Sequence, residues 1–259
     1  MSHQVLVMDS GIGGLTVHRE IIKLIPDITC HYLADNGFFP YGTKTEQALE
    51  ERMELLIRRI TKQHAIDAVV IACNSASTAV LDYLRERFEF PFIGVVPAIK
   101  PAAKLTKNKK IGLLATEGTV NRPYTDKLIA EFASDCEVIR VASQPLVTMA
   151  EMKLNGLPTD INALQEIIQP LINAAVDTCV LGCTHFPWFR NEFKLIAPYI
   201  EWIDSGEAIA RRLEQVLLPI KDNCDKSSTD YPVFFYTGNS YEQDFTKNLS
   251  FNITKIEFN

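Results

Sequence analysis

The chain has 259 residues, of which 47% are hydrophobic and 22% are charged, proportions typical of a globular protein with one large or two moderate domains. A formal net charge of −6 argues against a nucleic-acid partner or an anionic membrane surface, because either would need a basic face. No apolar run is long enough to span a bilayer. The first predicted strand begins at Gln4, which leaves no room for a signal peptide, so we expect a cytoplasmic protein.

Short apolar runs bounded by glycine, proline or polar residues predict strands along the whole chain. These runs are residues 4–8, 29–34, 67–72, 92–96, 111–115, 137–142, 178–182, 202–205, 233–236 and 253–258. Apolar residues at helical spacing predict helices between them, at 15–25, 43–64, 76–88, 100–104, 121–133, 144–154, 161–176, 188–197, 206–218 and 241–247. We expect Pro170 to interrupt its helix and the polar segment 221–230 to form a mobile surface loop.

This alternation of strands and helices predicts an α/β fold with mainly parallel sheets and right-handed crossovers. The pattern restarts after Pro97, which indicates two similar α/β lobes with an active site in the cleft between them. We place the first lobe at residues 1–97 plus 207–259, built from both ends of the chain, and the second at 98–206.

Two cysteines end two of the predicted strands in the same way. Cys73 follows an apolar run and precedes Asn74 and Ser75, and Cys183 follows another apolar run and precedes Thr184 and His185. A helix is expected to begin soon after each, at Pro187 in the second case because proline suits the first helical turn. Thiols at strand-to-helix junctions are biased towards the thiolate. Simple packing as buried thiols is the alternative, and it is weakened because polar groups follow each cysteine.

The six cysteines are expected to be free thiols rather than disulfides, because the chain is large and has no secretion signal. The spacing of Cys179, Cys183 and His185 matches no standard zinc pattern, and two strand residues four apart make a poor chelate. We therefore predict no metal site.

Other polar groups follow the first and fifth predicted strands. Asp9 and Ser10 precede a glycine-rich turn whose spacing fits neither the dinucleotide fingerprint nor the P-loop, so either residue is first interpreted as a helix cap. A functional carboxylate at Asp9 stays open as the alternative. Thr116 and Thr119 follow the strand 111–115. Because ligands of parallel α/β folds bind outside the carboxyl ends of strands, the convergence of Asp9, Cys73, Thr116 and Cys183 there predicts a functional site.

Several chemistries are open to two such thiols. A redox pair is normally close in sequence, as Cys-x-x-Cys, and these two are not. A cysteine hydrolase needs a histidine base, and His185 is awkwardly close in sequence to Cys183. Opposed acid and base groups explain the duplication best, because inversion at carbon needs proton removal from one face and proton return to the other.

Five motifs, in order along the chain, resemble bacterial glutamate racemases of the aspartate/glutamate racemase family. They are Asp9-Ser-Gly-Ile-Gly-Gly-Leu15, Pro40-Tyr-Gly42, Ala72-Cys-Asn-Ser75, Gly94-Val-Val-Pro97 and Leu181-Gly-Cys-Thr-His-Phe-Pro187. The resemblance extends over essentially the whole chain and is weakest after Leu218. Ser75 departs from the usual threonine of the family but keeps its hydroxyl.

The resemblance implies a cofactor-independent two-base racemase that supplies D-glutamate for peptidoglycan synthesis, and thereby serves cell-wall biogenesis and cell shape. It implies that Cys73 and Cys183 are the acid/base pair, with Asp9 assisting the first and His185 and Glu151 assisting the second. Without it, Glu151 would be interpreted as a surface helix residue. The implied substrate contacts are Asp9, Ser10, Pro40, Tyr41, Gly42, Asn74, Ser75, Thr116, Thr119, Thr184 and His185. Family members are commonly dimers, so a homodimer is expected.

Two other classes of protein share much of this pattern. An aspartate racemase or a decarboxylase of related acids would use the same scaffold, and comparison of substrates would separate them. A two-lobed amino-acid-binding protein would bind glutamate without changing its optical rotation, but it leaves the two thiols at strand ends unexplained.

Overall fold

The computed structural model describes residues 3–220, 231–239 and 251–257. The strands are β1 (Gln4–Asp9), β2 (Thr29–Ala34), β3 (Ala68–Ile71), β4 (Phe92–Gly94), β5 (Lys110–Ala115), β6 (Glu137–Ala142), β7 (Thr178–Leu181), β8 (Glu201–Ile203), β9 (Val233–Tyr236) and β10 (Asn252–Lys255). The α-helices are α1 (Leu15–Leu24), α2 (Glu46–Thr61), α3 (Asn74–Arg85), α4 (Ile99–Leu105), α5 (Glu117–Val120), α6 (Pro123–Phe132), α7 (Pro145–Leu154), α8 (Ile161–Asn173), α9 (Arg190–Ile196) and α10 (Gly206–Leu217). Short 3-10 turns lie at Asn36–Phe38, Tyr41–Thr43 and Phe186–Phe189.

The chain divides into two compact units, Met1–Val95 with Gly206–Asn259, and Val96–Ser205. The first unit has a parallel sheet in the order β10-β9-β2-β1-β3-β4. The second has a parallel sheet in the order β6-β5-β7-β8. The predicted fold class, two α/β units with parallel sheets, is confirmed.

The central strands of both sheets are apolar because helices cover them. Every residue of β1 is buried, and in the first unit Leu6 and Met8 join a core that includes Leu56 of α2 and Val80 of α3. In the second unit a separate core joins β5 and β7 with α4. Such strands, buried on both faces, are typical of parallel sheets.

Several predicted helix boundaries are wrong. The helix predicted at 43–64 starts later, at Glu46, because the Thr45 side chain caps it by accepting a hydrogen bond from Ala48 N at 3.3 Å. The helix predicted at 121–133 corresponds to α6, and a separate short helix, α5, precedes it where no helix was predicted. Helix α8 continues through Pro170 to Asn173, so the predicted interruption is wrong. Proline removes one backbone hydrogen bond, but burial of Leu164, Ile168 and Leu171 stabilises the helix.

The last strand is also shorter than predicted, at Asn252–Lys255 instead of 253–258. The predicted loop at 221–230 and the predicted helix at 241–247 lie outside the described residues. Within the part of the chain that the structure describes, no helix combines the length and the apolar character needed to cross a bilayer.

Candidate active site

The first cluster of polar residues lies at the carboxyl edge of the first unit's sheet. Strands β1 and β3 pair in register, with Met8 opposite Ile71, and Ala72 N donates to Met8 O at 2.8 Å. Asp9, the last residue of β1, therefore lies beside the point where β3 ends and the chain continues to Cys73. Two neighbouring strands thus bring the carboxylate and the thiol to the same edge of one sheet.

Cys73 is the residue that precedes helix α3, and its backbone is extended, with φ −70° and ψ 120°. Its carbonyl accepts a hydrogen bond from Ser77 N at 2.9 Å, which begins the helix. The side chain is half-buried. A helix N-terminus of this length favours negative charge, so the backbone alone favours the thiolate form at this position.

Asn74 and Ser75 follow the thiol in the first turn of α3, and both are buried. The amide nitrogen Nδ2 of Asn74 is buried and has no hydrogen-bond partner among the described residues. A buried amide donor without a partner carries a free-energy penalty. A ligand oxygen at this place would remove that penalty, so Asn74 is a candidate ligand contact.

The loop with Pro40, Tyr41 and Gly42 follows β2 and so begins at the same edge of the sheet. The Phe39–Pro40 peptide bond is cis, and the phenol of the buried Tyr41 donates to Asp35 Oδ2 at 3.0 Å. Burial raises the pKa of Tyr41 well above its usual value, and the negative charges of Asp35, Asp9 and Cys73 raise it further. The Tyr41 phenol therefore stays protonated.

The interpretation of Asp9 or Ser10 as a helix cap is wrong. Helix α1 is preceded by Gly14, and no side chain caps it. Asp9 is instead 1% exposed, and its Oδ1 accepts a hydrogen bond from Ser10 N at 2.7 Å. The glycine-rich turn separates both residues from the helix. A Cβ on Gly14 would lie 2.9 Å from the Cβ atoms of Asp9 and Ala72, so glycine lets the turn pack directly on this edge.

The second cluster lies at the equivalent edge of the second unit's sheet. Leu114 of β5 is opposite Leu181 of β7, and Gly182 N donates to Leu114 O at 2.8 Å. Cys183 therefore follows β7 as Cys73 follows β3, and Thr116 follows β5 as Ser10 follows β1. The central part of the first sheet, β2-β1-β3-β4, has the same order of connections as β6-β5-β7-β8. The duplication seen in the sequence is thus a duplication of fold.

The two cysteine turns differ in what surrounds the thiol. The predicted start of the helix at 188–197 is wrong, because Phe186–Phe189 form a 3-10 turn and α9 begins only at Arg190. Cys183 therefore has no α-helix N-terminus directly beside it. A side chain lies beside this thiol instead.

His185 is that side chain. Its Nδ1 lies 3.9 Å from Cys183 Sγ, and its Nε2 lies 2.6 Å from Glu151 Oε1. Burial alone would lower the pKa of His185, but the hydrogen bonds to Cys183 and Glu151, together with their negative charges, raise it well above its usual value. The arrangement therefore favours a protonated His185 between Cys183 and Glu151.

Three threonines surround this turn and are buried: Thr116, Thr119 and Thr184. The hydroxyls of Thr116 and Thr119 lie 3.4 Å apart. Thr119 O in turn accepts a hydrogen bond from the Thr125 hydroxyl at 2.6 Å, which fixes the short helix α5. The second edge thus offers several neutral hydroxyls and one cation, His185.

The structure adds a supporting residue that sequence reasoning missed. Lys153 lies on α7 two residues after Glu151, and its Nζ donates to Trp188 O and to Glu192 Oε1, each at 2.6 Å. These bonds join α7 to the segment after His185 and so hold Glu151 against the imidazole. Lysine in the last turn of a helix is ordinary in any sequence, so no pattern distinguished it.

Metal ligation has no candidate within residues 3–220, 231–239 and 251–257, where no group of three or more His, Cys, Asp or Glu side chains is placed to hold an ion. Five cysteines, residues 30, 73, 136, 179 and 183, are free thiols. Cys179 is fully buried, and burial raises the pKa of its thiol. It is therefore a packing residue of β7.

Two α/β units, each with a parallel sheet and a thiol after the corresponding strand, define the class of protein. Residues 5–213 match the Asp/Glu/Hydantoin racemase family, and the chain belongs to that family. The resemblance inferred from the five motifs is confirmed.

Named relatives agree. A glutamate racemase of Pectobacterium atrosepticum is 50% identical over 211 residues, which is 80% of this chain and 74% of that protein. The crystal structure of Escherichia coli glutamate racemase with L-glutamate and the activator UDP-MurNAc-ala superposes with a TM-score of 0.90 at 40% identity, covering 99% of this chain and 98% of that one. A glutamate racemase isoform of Bacillus anthracis gives a TM-score of 0.79 at 28% identity, with 98% and 97% covered.

Proposed function

We propose that the protein interconverts L-glutamate and D-glutamate without a cofactor, with Cys73 and Cys183 as the two acid/base groups on opposite faces of the substrate. The observation that carries this proposal is the duplication of fold. In each unit a cysteine follows the corresponding strand, Cys73 at the start of α3 and Cys183 beside His185. A site between the two units, which would bring the two edges to one substrate, is part of the proposal.

In the proposed reaction, one cysteine enters as thiolate and the other as thiol. The thiolate removes the α-proton, and the electron pair left on Cα delocalises into the adjacent carboxylate. The opposite thiol then donates its proton to the other face of Cα and becomes the thiolate. The two sulfurs exchange charge, atoms and electrons balance, and the reverse reaction runs by the same steps.

The central difficulty is that an ordinary thiol, with a pKa of about 8.5, is only a few per cent ionised at neutral pH. The α3 N-terminus supports the Cys73 thiolate, and we assign Asp9, at the same edge, the role of assisting it in proton transfer. His185 as imidazolium stabilises the Cys183 thiolate. Glu151 fixes the position of the His185 ring and stabilises its positive charge. Each thiol is thus activated by its own neighbours.

Substrate binding is assigned to the polar groups that share these edges. In the first unit they are Asp9, Ser10, Pro40, Tyr41, Gly42, Asn74 and Ser75, and in the second they are Thr116, Thr119, Thr184 and His185. The buried Nδ2 of Asn74 supplies one donor. Most of the others are hydroxyls or backbone groups, so neutral hydrogen bonds and backbone N–H groups hold the carboxylates.

The choice of glutamate rests on relatives that carry that name at 50% identity and on the E. coli structure described as containing L-glutamate. The product would supply D-glutamate for peptidoglycan. We further propose a cytoplasmic location, where catalytic thiols stay reduced, and a homodimer, as family resemblance suggests.

The test is the circular dichroism of L-glutamate incubated with the purified protein, without pyridoxal phosphate. We expect the signal to decay to zero, and we expect deuterium at Cα of the inverted product in deuterated water. Inversion without label would refute exchangeable acid/base groups. Saturable glutamate binding with an unchanged signal would indicate a binding protein, and faster inversion of aspartate than of glutamate would refute the substrate assignment.

A further inference from the structure

The loop at residues 36–43, which contains Pro40, Tyr41 and Gly42, is held in the first unit by one buried carboxylate. Asp35 follows β2 and is 0% exposed. Its Oδ2 accepts hydrogen bonds from the Tyr41 hydroxyl at 3.0 Å and from Arg52 Nε at 2.9 Å. Its Oδ1 accepts from a second guanidinium nitrogen of Arg52 at 2.6 Å and from the Thr237 hydroxyl at 2.5 Å.

These donors come from three parts of the chain, one of which is distant in sequence. Tyr41 lies in the loop itself, Arg52 lies on α2, and Thr237 follows β9, 202 residues after Asp35. Asp35 is also joined to the first strand, because Asp35 N donates to Asp9 O at 2.8 Å. The Asp35 carboxylate thus ties together the loop, a helix and the returning end of the chain, and the Asp35 backbone N–H joins the residue to the end of β1.

Thr237 forms more than one of these connections. Its hydroxyl accepts a hydrogen bond from Gly37 N at 3.0 Å while it donates to Asp35. Asn36 Oδ1 accepts from Thr237 N at 3.1 Å and from Gly238 N at 2.7 Å. The side chains of Thr237 and Asn36 therefore join the start of the loop to the segment after β9.

Burying a carboxylate costs free energy unless donors and a counter-charge compensate it. A buried ion pair is weak evidence of net stabilisation, so we look for its role in the position of the loop. The Tyr41 hydroxyl donates its hydrogen bond to Asp35. The loop would therefore bind a substrate at the edge with Asp9 and Cys73 through its backbone groups, including those of Gly42. The position of that backbone then depends on Asp35.

We infer that Asp35 is a positioning residue for the proposed racemase and that Thr237 completes it, so that a side chain from the far end of the sequence sets the loop that binds substrate. This inference rests on the proposed function. Since the loop would contact the substrate equally before and during proton transfer, disturbing it should raise KM more than it lowers kcat.

The test compares Thr237→Val, which keeps the shape and removes the hydroxyl, with Thr237→Ser, which keeps the hydroxyl. We expect Thr237→Val, which loses the hydrogen bonds of the hydroxyl with Asp35 and Gly37, to raise KM for both enantiomers about tenfold, with kcat within about threefold of wild type. Thr237→Ser should restore KM. A matched control is Thr61→Val, which removes a hydroxyl bonded at 2.9 Å to Ile57 O at the end of α2 and should leave KM unchanged.

Hydrogen exchange of residues 36–44 provides a readout that does not need turnover. We expect faster exchange there in Thr237→Val than in wild type, Thr237→Ser or Thr61→Val. Unchanged exchange, unchanged KM, or equal impairment of the valine and serine variants would overturn the inference. If wild type does not racemise glutamate, the proposed function fails, whereas the exchange comparison still decides whether Thr237 holds the loop. Asp35→Asn should reproduce the KM effect more strongly, and the Thr237 pair keeps the test valid if that variant does not fold.

Discussion

Replacing Glu151 by glutamine tests how the second thiol is activated. Glu151 Oε1 lies 2.6 Å from His185 Nε2. The His185 side chain is 3% exposed and that of Glu151 is 22% exposed, so solvent screens the contact only in part. Glutamine keeps an acceptor oxygen at nearly the same place and removes the negative charge. Glu151→Gln therefore isolates the charge of the residue from its hydrogen bond.

The size of the effect follows from the kind of bond that is lost. A hydrogen bond to a charged group contributes about 1.5–3 kcal/mol net and a neutral one about 0.5–1.5 kcal/mol. The difference between the midpoints of these ranges, about 1.25 kcal/mol, corresponds to about one pKa unit. Glu151 raises the pKa of His185, so its replacement should lower that pKa by about one unit, while the contact with Cys183 keeps part of the shift.

The assay is the pH dependence of kcat/KM, together with NMR titration of the His185 ring. If the imidazolium is the active form, activity is lost as pH rises through the His185 pKa. The alkaline limb should therefore move to lower pH by about one unit in Glu151→Gln. Glu166→Gln, which removes an exposed carboxylate of α8, is the matched control and should leave the limb in place. An unmoved limb and an unchanged ring titration in Glu151→Gln would refute the role assigned to Glu151.

Changing either thiol to a hydroxyl, as in Cys73→Ser or Cys183→Ser, should lower kcat/KM by about 10²–10⁴-fold, the usual contribution of one general acid or base. Since the enantiomers have equal free energy, the loss must be equal in both directions, and near wild-type turnover would exclude that thiol. Burial, partly opposed by a backbone hydrogen bond, lowers the pKa of His18 to about 4, so the unfolded state binds more protons in acid. Wild type should lose about 2 kcal/mol of unfolding free energy through this residue between about pH 7 and pH 5; urea unfolding of His18→Gln should show a smaller loss, and an equal loss would contradict the assignment. Gly182→Ala places a Cβ 2.9 Å from that of Ala115, and thermal unfolding should show a loss of about 1–3 kcal/mol, which a variant as stable as wild type would contradict.

The strands and the strand-end residues could be predicted from sequence because each depends on local pattern. Continuous apolar runs mark buried parallel strands, and the polar residue that ends each run marks the edge where ligands bind. Asp9, Thr116 and both cysteines therefore lie at strand ends in the structure as the sequence indicated. The family could be identified because five short motifs occur in one order.

Other features depend on contacts between distant segments, which no local pattern encodes. The bond between Thr237 and Asp35 crosses 202 residues, and the contact of Lys153 with Glu192 crosses 39. The cap interpretation of Asp9 failed because a capping residue and a buried carboxylate beside a glycine turn look alike in sequence. The helix start after Cys183 was misplaced because a 3-10 turn satisfies the same proline preference.

The claim that two thiols act on opposite faces of one carbon is tested most directly by hydrogen exchange at Cα in variants with one thiol. In deuterated water, a single remaining base can remove the α-proton and return deuterium to the same face, which labels the substrate without inverting it. We predict by NMR that Cys73→Ala exchanges one enantiomer of glutamate and Cys183→Ala exchanges the other. Exchange of the same enantiomer by both variants, or of both enantiomers by one variant, would contradict the account.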